Sequence, residues 1–285
     1  MVSAKELKTY AKITWCPGCG NFGIYTALRR GLAELSLEPE SVVLVSGIGC
    51  HAKMVDYVNT NSFYVIHGRV LPVASAIKLA NHELTVIGHA GDGDAYGIGI
   101  GHLSHACRRN IDIVYIVHNN MVYGLTTGQT APTSQQGYVS KTSPFGELAL
   151  PINPIAQGLA SDASMVARGF AGNPEHLTEL IKECIRHKGF ALLDVLQPCV
   201  TFNRINTYRF YRERVYKLED ENHDYTDKMK AFQKAYEWGD RIPIGVFYKV
   251  ERPTYHEGLP QISKVPLSRQ RIEDVDISDL IRSFT

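Results

Sequence analysis

The sequence predicts an α/β fold in which a mostly parallel β-sheet has helices on both faces, followed by a C-terminal extension. Two observations support this prediction. Short β-rich runs alternate with helical stretches, and these runs are apolar throughout rather than at every second residue, as in parallel strands covered on both faces. The chain has 285 residues, 44% of them hydrophobic and 21% charged. Such a composition suits one large domain or two small ones and excludes a disordered chain.

Strands are predicted at the apolar runs and helices between them. The predicted strands are residues 41–45, 63–67, 84–89, 111–118, 163–168 and 190–196. Apolar residues recur at steps of three and four from Phe22 to Leu35, which indicates one helix face. Pro72 can open a helix over 73–80 because proline in the first turn loses no hydrogen bond. Residues 95–109 indicate a further helix, and Asn173 followed by Pro174 is typical of a helix start, here running to about residue 187.

Residues 1–200 are predicted to form the α/β domain and residues 201–285 an extension that packs on this domain or on a partner subunit. The extension contains a predicted helix over 227–238 and a strand over 244–250. Its interleaved arginine and tyrosine residues from Tyr208 to Tyr216 could indicate contact with RNA. The net charge of only +1 argues against a nucleic-acid partner, so we interpret this stretch as a packing surface.

Membrane and secretory classes are excluded by the distribution of apolar residues. No run approaches 18 consecutive apolar residues, so no membrane span is expected, and residues 1–6 lack the apolar core of a signal peptide. Six cysteines in 285 residues are too few for a disulfide scaffold. We therefore expect a cytoplasmic protein whose cysteines are reduced thiols, either buried or bound to a metal.

An acidic, glycine-rich turn follows the predicted strand 84–89. It reads Gly91, Asp92, Gly93, Asp94 and leads into a helix. Ligands of parallel α/β sheets bind beyond the carboxyl ends of strands, and the start of the next helix favours a phosphate. Because an aspartate would repel a phosphate, the pattern predicts Mg²⁺ between the carboxylate and a diphosphate.

A second polar turn follows the next strand, at Asn119, Asn120 and the residues after them. Asn120 lies 28 positions after Asp92, and its amide oxygen together with a backbone carbonyl, that of Val122, could complete the oxygen ligands of Mg²⁺. The turn is neither a dinucleotide fingerprint, because a third glycine is missing, nor a Walker A loop, because no Gly-Lys-Ser/Thr follows.

The six cysteines divide into two sets by position. Cys16 and Cys19 form a C-x-x-C pair, and Cys50 and Cys199 follow predicted strand ends. The pair alone could be a redox motif, half a zinc site or half an iron–sulfur site. Since strand ends of one parallel sheet meet at one edge, the four thiolates could converge on zinc or on a [4Fe–4S] cluster. The other two, Cys107 and Cys184, lie on apolar helix faces and are interpreted as buried structural residues.

Taken together, these motifs resemble the β subunit of the 2-oxoacid:ferredoxin oxidoreductases. The resemblance extends from about residue 10 to about residue 250. It rests on residues 15–20 (WCPGCG), 46–50 (SGIGC), 67–69 (HGR), 91–94 (GDGD), 122–129 (VYGLTTGQ) and 197–199 (QPC).

The resemblance implies a thiamine diphosphate-binding fold of the pyrophosphate type and two sets of site residues. One [4Fe–4S] cluster would be bound by Cys16, Cys19, Cys50 and Cys199, and Mg²⁺ by Asp92, Asn120 and Val122. The thiamine diphosphate contacts would be Ile48, Gly49, Cys50, His51, His67, Gly68, Arg69, Gly91, Asp92, Gly93, Asp94, Asn120, Val122, Gly124, Leu125 and Thr126. His67 could instead be a strand-end histidine without such a role, and Arg69 could bind a carboxylate.

The resemblance also implies coenzyme A-dependent oxidative decarboxylation of a 2-oxoacid, pyruvate or 2-oxoglutarate first, with electrons passing through the cluster to ferredoxin. The glutamate that activates the cofactor is expected on an α subunit, either separate or fused with a γ subunit. Some family members carry a lysine where Thr127 stands, and there it meets the substrate carboxylate, so this sequence leaves the substrate open. Two alternatives remain: a subunit of a non-oxidative thiamine diphosphate decarboxylase, and a structural subunit that binds zinc or a cluster.

Overall fold

The computed structural model describes residues 2–273 and 275–284, and an eight-stranded sheet forms its centre. The strands are β1 (Val42–Ser46), β2 (Asn61–Tyr64), β3 (Thr85–Gly91), β4 (Ile113–Asn119), β5 (Val122–Tyr123), β6 (Gln129–Thr130), β7 (Met165–Phe170), β8 (Phe190–Leu196), β9 (Val215–Lys217) and β10 (Ile242–Lys249). The strand order is β2-β1-β3-β4-β8-β7-β10-β9, and β5 pairs with β6 separately. Every pairing in the large sheet is parallel except that of β7 with β10.

Helices cover both faces of this sheet, which confirms the predicted fold class. They are α1 (Asn21–Glu34), α2 (Met54–Tyr57), α3 (Val70–Ala80), α4 (Ile100–Arg109), α5 (Pro154–Ala160), α6 (Pro174–Arg186), α7 (Tyr208–Arg212), α8 (Lys228–Ala235) and α9 (Ser278–Arg282). Alternate residues of β1 face opposite sides, so Val42 and Leu44 join one apolar core and Val43 and Val45 the other. Helices α1 and α6 pack on the first core, and α3, α4, α5 and α8 on the second.

Two predicted elements differ from the structure for local reasons. Strand β2 is displaced toward the N-terminus of the predicted run 63–67, and all four of its residues are exposed because it is an edge strand. The predicted helix 95–109 begins instead with a π-helical turn, Gly93–Ile98, before α4. The N–H of Gly99 donates to the carbonyl oxygen of Asp94 at 2.9 Å, and a Cβ on Gly99 would lie 2.5 Å from that oxygen. A glycine is therefore required at this π turn.

The tail after residue 200 contributes β9 and β10 to the large sheet. Helix α8 buries Ala231 and Ala235 in the same core as Phe247 of β10. The division of the chain at residue 200 stays a prediction. Within the described part of the chain, no helix has both the length and the apolarity needed to cross a membrane.

The carboxyl ends of the central strands lie at one edge of the sheet. Ser46 of β1 is level with His89 of β3, Gly91 of β3 with His118 of β4, and Asn119 of β4 with Leu196 of β8. The loops that follow these strands contain the predicted site residues, so parallel pairing brings distant segments of sequence to a common edge.

Candidate active site at the carboxyl edge of the sheet

A cavity of about 290 Å³ opens at this edge. Of the residues predicted to contact a cofactor, those that line it are Ile48, Gly49, Cys50, His51, His67, Gly91, Asp92, Gly93, Asp94, Asn120, Val122, Gly124, Leu125 and Thr126. Gly68 and Arg69 do not line it. Gly68 is buried and its N–H donates to Asp94 Oδ1, whereas Arg69 is exposed. The structure thus brings together four separate loops around one space. The roles of the individual residues stay predictions.

Glycines keep this cavity open where side chains would fill it. A Cβ on Gly93 would lie 2.1 Å from the ring of Tyr123, and a Cβ on Gly49 or Gly91 would lie 2.8 or 2.9 Å from the ring of His51. Carbon atoms in contact normally lie about 3.5–4.0 Å apart. Glycine at these three positions therefore leaves room for the rings of Tyr123 and His51 to pack against the backbone. With no side chain there, the backbone itself can face a bound ligand.

Asp92 is a buried carboxylate in the wall of the cavity. Only 2% of the residue is exposed, and the hydroxyl of Thr133 donates to its Oδ2 at 2.7 Å. Burial raises the pKa of the Asp92 carboxyl to about 7, and the hydrogen bond from Thr133 opposes this rise. A carboxylate so poorly solvated is stabilised by a nearby cation. The site therefore fits the divalent cation predicted from the sequence.

Asn120 and Val122 are presented to the cavity by a strained turn. Met121 between them has a left-handed backbone, with φ 60°. The side chain of Asn120 accepts a hydrogen bond from the Val122 N–H at 3.1 Å and donates one to Gln197 Oε1 at 3.0 Å. Asn203 donates to the carbonyl oxygen of Asn120 at 3.0 Å. The oxygen-bearing groups of Asn120 and Val122 are thus held at the same cavity as Asp92.

Asp94 connects three loops beneath the cavity. Its Oδ2 lies 3.2 Å from His51 Nε2 and its Oδ1 lies 3.1 Å from His67 Nδ1. The carboxylate also packs against Gly47, where a Cβ would lie 1.8 Å from Oδ2. Asp94 therefore lies close to both histidines that line the cavity without a hydrogen bond to either ring nitrogen, and only glycine is compatible at residue 47.

Sequence reasoning missed several residues of the site. His118, Tyr123 and Gln197 line the cavity, and Thr133 contacts Asp92. The position of His118 at a strand end was a usable signal, and Tyr123 and Gln197 lie within the motifs on which the family resemblance rests. Thr133 offered no signal, because its contact with Asp92 depends on the path of the loop after β6.

His118 belongs to a buried chain of polar side chains. Its Nε2 lies 3.0 Å from His89 Nδ1, and its Nδ1 lies 2.8 Å from Asn21 Oδ1. Burial lowers the pKa of His89 to about 3 and that of His118 well below its usual range, so both rings are neutral near pH 7. Neutral rings can alternate donor and acceptor nitrogens, so these two contacts form without a buried charge, although His89 Nε2 and Asn21 Nδ2 have no hydrogen-bond partner.

The four predicted cluster cysteines line a second cavity, of about 230 Å³, adjacent to the first. The N–H of Cys19 donates to the carbonyl oxygen of Cys16 at 3.0 Å, which forms the turn between this pair. The indole N–H of Trp15 donates to the carbonyl oxygen of Cys50 at 2.7 Å. Three distant segments of sequence thus place Cys16, Cys19, Cys50 and Cys199 around one space.

These thiols are suited to bind a metal centre rather than to ionise alone. Burial raises the pKa of the Cys19 thiol to about 12, and the three neighbouring thiols act in the same direction. Burial likewise raises the pKa of Cys50. With their pKa raised, Cys19 and Cys50 stay protonated near pH 7 unless a positive centre stabilises the thiolates. Among residues 2–273 and 275–284, no group of three or more His, Cys, Asp and Glu side chains is arranged so that it could hold a metal ion. The other two cysteines, Cys107 and Cys184, are buried in α4 and α6.

The two cavities have a common wall. Cys50, Asn120, Gly124, Leu125 and Gln197 line both of them. A Cβ on Gly124 would lie 3.8 Å from both Cys50 Sγ and Cys199 Sγ. Groups bound in the two spaces would therefore be separated by little more than one layer of residues.

Two known protein families match successive parts of this chain. Residues 47–195 match the family described as thiamine pyrophosphate enzyme, C-terminal TPP binding domain, and residues 199–264 match the C-terminal region of the pyruvate ferredoxin oxidoreductase beta subunit. The chain is 48% identical over 258 residues to 2-oxoacid:ferredoxin oxidoreductase 1, subunit beta, of Aeropyrum pernix, covering 87% of this chain and 81% of that protein. It is 45% identical over 290 residues to the 2-oxoacid:ferredoxin oxidoreductase subunit beta of Saccharolobus solfataricus, covering 94% and 95%.

A solved structure is similar over the whole chain. It is the 2-oxoglutarate:ferredoxin oxidoreductase from Magnetococcus marinus with 2-oxoglutarate, coenzyme A and succinyl-CoA bound. The sequence identity is 36% and the TM-score 0.91, covering 100% of this chain and 96% of that chain.

Proposed function

Since this chain belongs to the β-subunit family of the 2-oxoacid:ferredoxin oxidoreductases, we propose that it contributes the cofactor site for coenzyme A-dependent oxidative decarboxylation of a 2-oxoacid. The products are an acyl-CoA, CO₂, a proton and two electrons, and the electrons pass singly through a [4Fe–4S] cluster to ferredoxin. The observation that carries this proposal is the wall shared by the first cavity, which contains Asp92, and the second cavity, which contains the four cysteines. A non-oxidative decarboxylase has no use for four cysteines beside its cofactor.

The first cavity is assigned to thiamine diphosphate and Mg²⁺. When bound, thiamine diphosphate supplies a carbanion that attacks a 2-oxo carbon and then holds the electrons left by loss of CO₂. Asp92, Asn120 and the carbonyl of Val122 would bind Mg²⁺ as oxygen ligands. Glycine at 49, 91 and 93 leaves room for the rings of His51 and Tyr123 against the backbone that would face the diphosphate, and His51 and His67, both close to Asp94, lie along the cavity. Gly68 and Arg69 lie outside this lining, and their contact with the cofactor stays a prediction.

The second cavity is assigned to the [4Fe–4S] cluster. Cys16, Cys19, Cys50 and Cys199 would be its ligands. In the alternative zinc site, four thiolates would lie about 2.3 Å from one ion, and the metal content of the purified protein distinguishes the two. Trp15 holds Cys50 through the backbone, and Gln197 lies 3.4 Å from Cys19 Sγ through its Nε2 donor. Hydrogen bonds of this kind tune the potential of a cluster.

The catalytic set is completed by a partner. The glutamate that activates the aminopyrimidine is assigned to an α subunit, separate or fused with γ, and residues 1–200 would form the cofactor domain that it covers. Leu125, which lines the cavity, is exposed and available for such packing, as are Val139, Phe145, Leu148 and Leu150 in the segment after β6. The substrate is proposed as a 2-oxoacid, with pyruvate and 2-oxoglutarate first. Thr127, which is exposed and has φ 77°, supplies no cation for its carboxylate.

The colour of the protein tests the cluster assignment. After anaerobic purification of the complex, we expect a brown protein with broad absorption near about 400 nm that dithionite bleaches. Cys16→Ser should lose most of this absorption, whereas Cys107→Ser is the matched control and should retain it, because Cys107 is buried in α4 away from the four thiols. A colourless protein containing zinc would reject the electron-transfer function and favour the structural-subunit alternative.

Cofactor retention tests the first cavity. Asp92→Ala should abolish retention of thiamine diphosphate in the presence of Mg²⁺, because the only carboxylate among the three proposed ligands is removed. Asp240→Ala removes an exposed aspartate and serves as the control. Unchanged retention in Asp92→Ala would reject the Mg²⁺ assignment while leaving the cluster result unaffected.

Reconstitution tests the need for a partner. The isolated chain, supplied with thiamine diphosphate, Mg²⁺, coenzyme A and a 2-oxoacid, should show little or no turnover, and addition of the α subunit should restore it. A panel of pyruvate, 2-oxoglutarate and a branched 2-oxoacid then identifies the substrate. Full activity of the isolated chain would refute the division of the site between subunits. Decarboxylation without reduction of ferredoxin would favour the non-oxidative alternative.

A further inference from the structure

A third cavity, of about 310 Å³, lies on the other side of the turn that holds Asn120. Asn119 and Met121 line this space, whereas Asn120 and Val122 line the first cavity, so successive residues alternate between the two. The walls are largely apolar and include Pro151, Ile152, Pro154, Tyr236 and Trp238. We refer to this space as the Arg168 cavity, because a buried guanidinium lies in its lining.

Arg168 is a buried cation with unused hydrogen-bond donors. It projects from β7 and only 2% of it is exposed. Its register partner on β8 is Asp194, but Arg168 Nε lies 3.6 Å from Asp194 Oδ2, beyond hydrogen-bond distance. Neither Nε nor Nη1 of Arg168 has a hydrogen-bond partner. A buried guanidinium without such partners is costly, and one that lines a cavity can be satisfied by a ligand.

Asp194 forms a buried ion pair with Arg168, but its carboxylate oxygens accept hydrogen bonds from other donors. The hydroxyl of Tyr96 donates to its Oδ1 at 3.0 Å, and the amide of Asn119 donates to the same atom at 3.1 Å. The positive charge of Arg168 is otherwise faced by the rings of Trp238 and Phe247, at 5.6 and 5.4 Å from the guanidinium carbon. The cavity therefore combines a buried guanidinium with two unused donors, its ion-pair partner Asp194 in the same lining, and aromatic and proline walls.

We propose that the Arg168 cavity is a second ligand site, which binds a small organic carboxylate with an apolar or aromatic substituent. A planar guanidinium matches a carboxylate in geometry and charge, and the apolar walls suit the substituent rather than a hydrated ion such as phosphate. This site is independent of the function proposed above.

The position of the site would bring its occupant close to Thr133, which is hydrogen-bonded to Asp92 in the wall of the first cavity. Thr133 and Asn119 line the Arg168 cavity. The hydroxyl of Thr133 lies 2.7 Å from Asp92 Oδ2 and 3.0 Å from Asn119 Oδ1. A ligand beside Thr133 and Asn119 therefore lies one hydrogen-bonded residue from Asp92.

Titration with benzoate tests the proposal, with benzamide as its neutral analogue of the same shape. Neither compound has the 2-oxo group of a substrate. Binding is followed by saturation-transfer NMR on the purified complex of this chain with its partner subunit. We expect benzoate to bind with a Kd of roughly 1–10 mM and benzamide at least about tenfold more weakly, since a hydrogen bond to a charged group contributes about 1.5–3 kcal/mol.

Variants locate the binding. Trp238→Ala should weaken benzoate at least about tenfold, whereas Tyr255→Ala, an equally exposed aromatic outside this cavity (40% against 39% exposed), should not. Arg168→Lys keeps the charge but loses the planar fork and should also weaken binding. Because Trp238 lies at the rim, its variant keeps the test valid if an Arg168 variant fails to fold. Equal affinity for benzoate and benzamide, unchanged binding in Trp238→Ala, or no binding at about 50 mM would each overturn the proposal.

Discussion

Replacing Gly93 by alanine tests whether the first cavity depends on close packing between its acidic loop and Tyr123. A Cβ on Gly93 would lie 2.1 Å from Tyr123 Cε1 and 2.4 Å from Cζ. Ordinary contact begins near 3.4 Å, so the ring would have to move by about 1.3 Å. The hydroxyl of Tyr123 donates to the carbonyl oxygen of Gly93 at 3.2 Å, and this bond would be lost with the movement.

The magnitude follows from the cost of overpacking. Extra atoms in a packed site cost about 1–3 kcal/mol. Because Tyr123 lines the cavity of about 290 Å³, we expect much of this cost to appear in ligand binding, as thiamine diphosphate affinity roughly 5- to 150-fold weaker in the presence of Mg²⁺. Isothermal titration of the complex with thiamine diphosphate measures this change.

Two further variants make the test specific. Gly101→Ala is the control, because a Cβ at Gly101 meets no atom within 4 Å. It should leave cofactor affinity unchanged and stabilise α4 by about 0.5–1 kcal/mol. The double variant Gly93→Ala with Tyr123→Ala removes the clash and should recover part of the affinity. If Gly93→Ala bound thiamine diphosphate as tightly as the unsubstituted chain, the packing argument would be refuted.

Three other predictions concern the wall of the site and the stability of the fold. Thr133→Val removes the hydroxyl donor that lowers the pKa of the Asp92 carboxyl, so that pKa should rise. Titration with thiamine diphosphate at pH 7 should then show an affinity about tenfold lower. Unchanged affinity would show that this hydrogen bond is unimportant. Lys78→Met leaves its 2.7 Å partner Asp112 unpaired and should cost about 3 kcal/mol in denaturant unfolding, most of it recovered by adding Asp112→Leu. Burial lowers the pKa of His187 from 6.5 to about 4. Between pH 6.5 and pH 4, His187 therefore becomes protonated in the unfolded chain but stays neutral in the folded one. Stability should therefore fall by about 2 kcal/mol as the pH falls through this range, and His187→Gln should reduce the slope unless another group causes it.

Periodicity and apolar runs were sufficient for the central elements. The predicted strand 190–196 coincides with β8, because a central strand buried on both faces must be apolar along its whole length. The predicted start at Asn173 and Pro174 coincides with that of α6, whose cap is the Asn173 side chain accepting from the His176 N–H at 3.3 Å. Edge strand β2 was misplaced because its residues are exposed and satisfy no burial pattern.

In the loops at the carboxyl edge of the sheet, the sequence likewise predicts some site residues and misses others. Asp92 and Asn120 could be assigned to one cavity from sequence, since consecutive parallel strands place their ends side by side. Thr133 could not be assigned, because it reaches Asp92 only through the path of the following loop. The sequence likewise offered no sign that Arg168 and Asp194 face a cavity, because both lie within strands that otherwise look like buried core.

The sequence by itself determined the fold class, the acidic diphosphate-type turn and the separation of four cysteines from two. Each depends on local spacing and on the general rule that parallel strands end at one edge. Only the tertiary structure decided that the four-cysteine cavity and the first cavity share a wall at Cys50 and Gly124, and that Gly68 and Arg69 lie outside the lining. It also showed the Arg168 cavity. These features arise from contacts between residues far apart in the chain, where packing and burial, rather than spacing, set the distances.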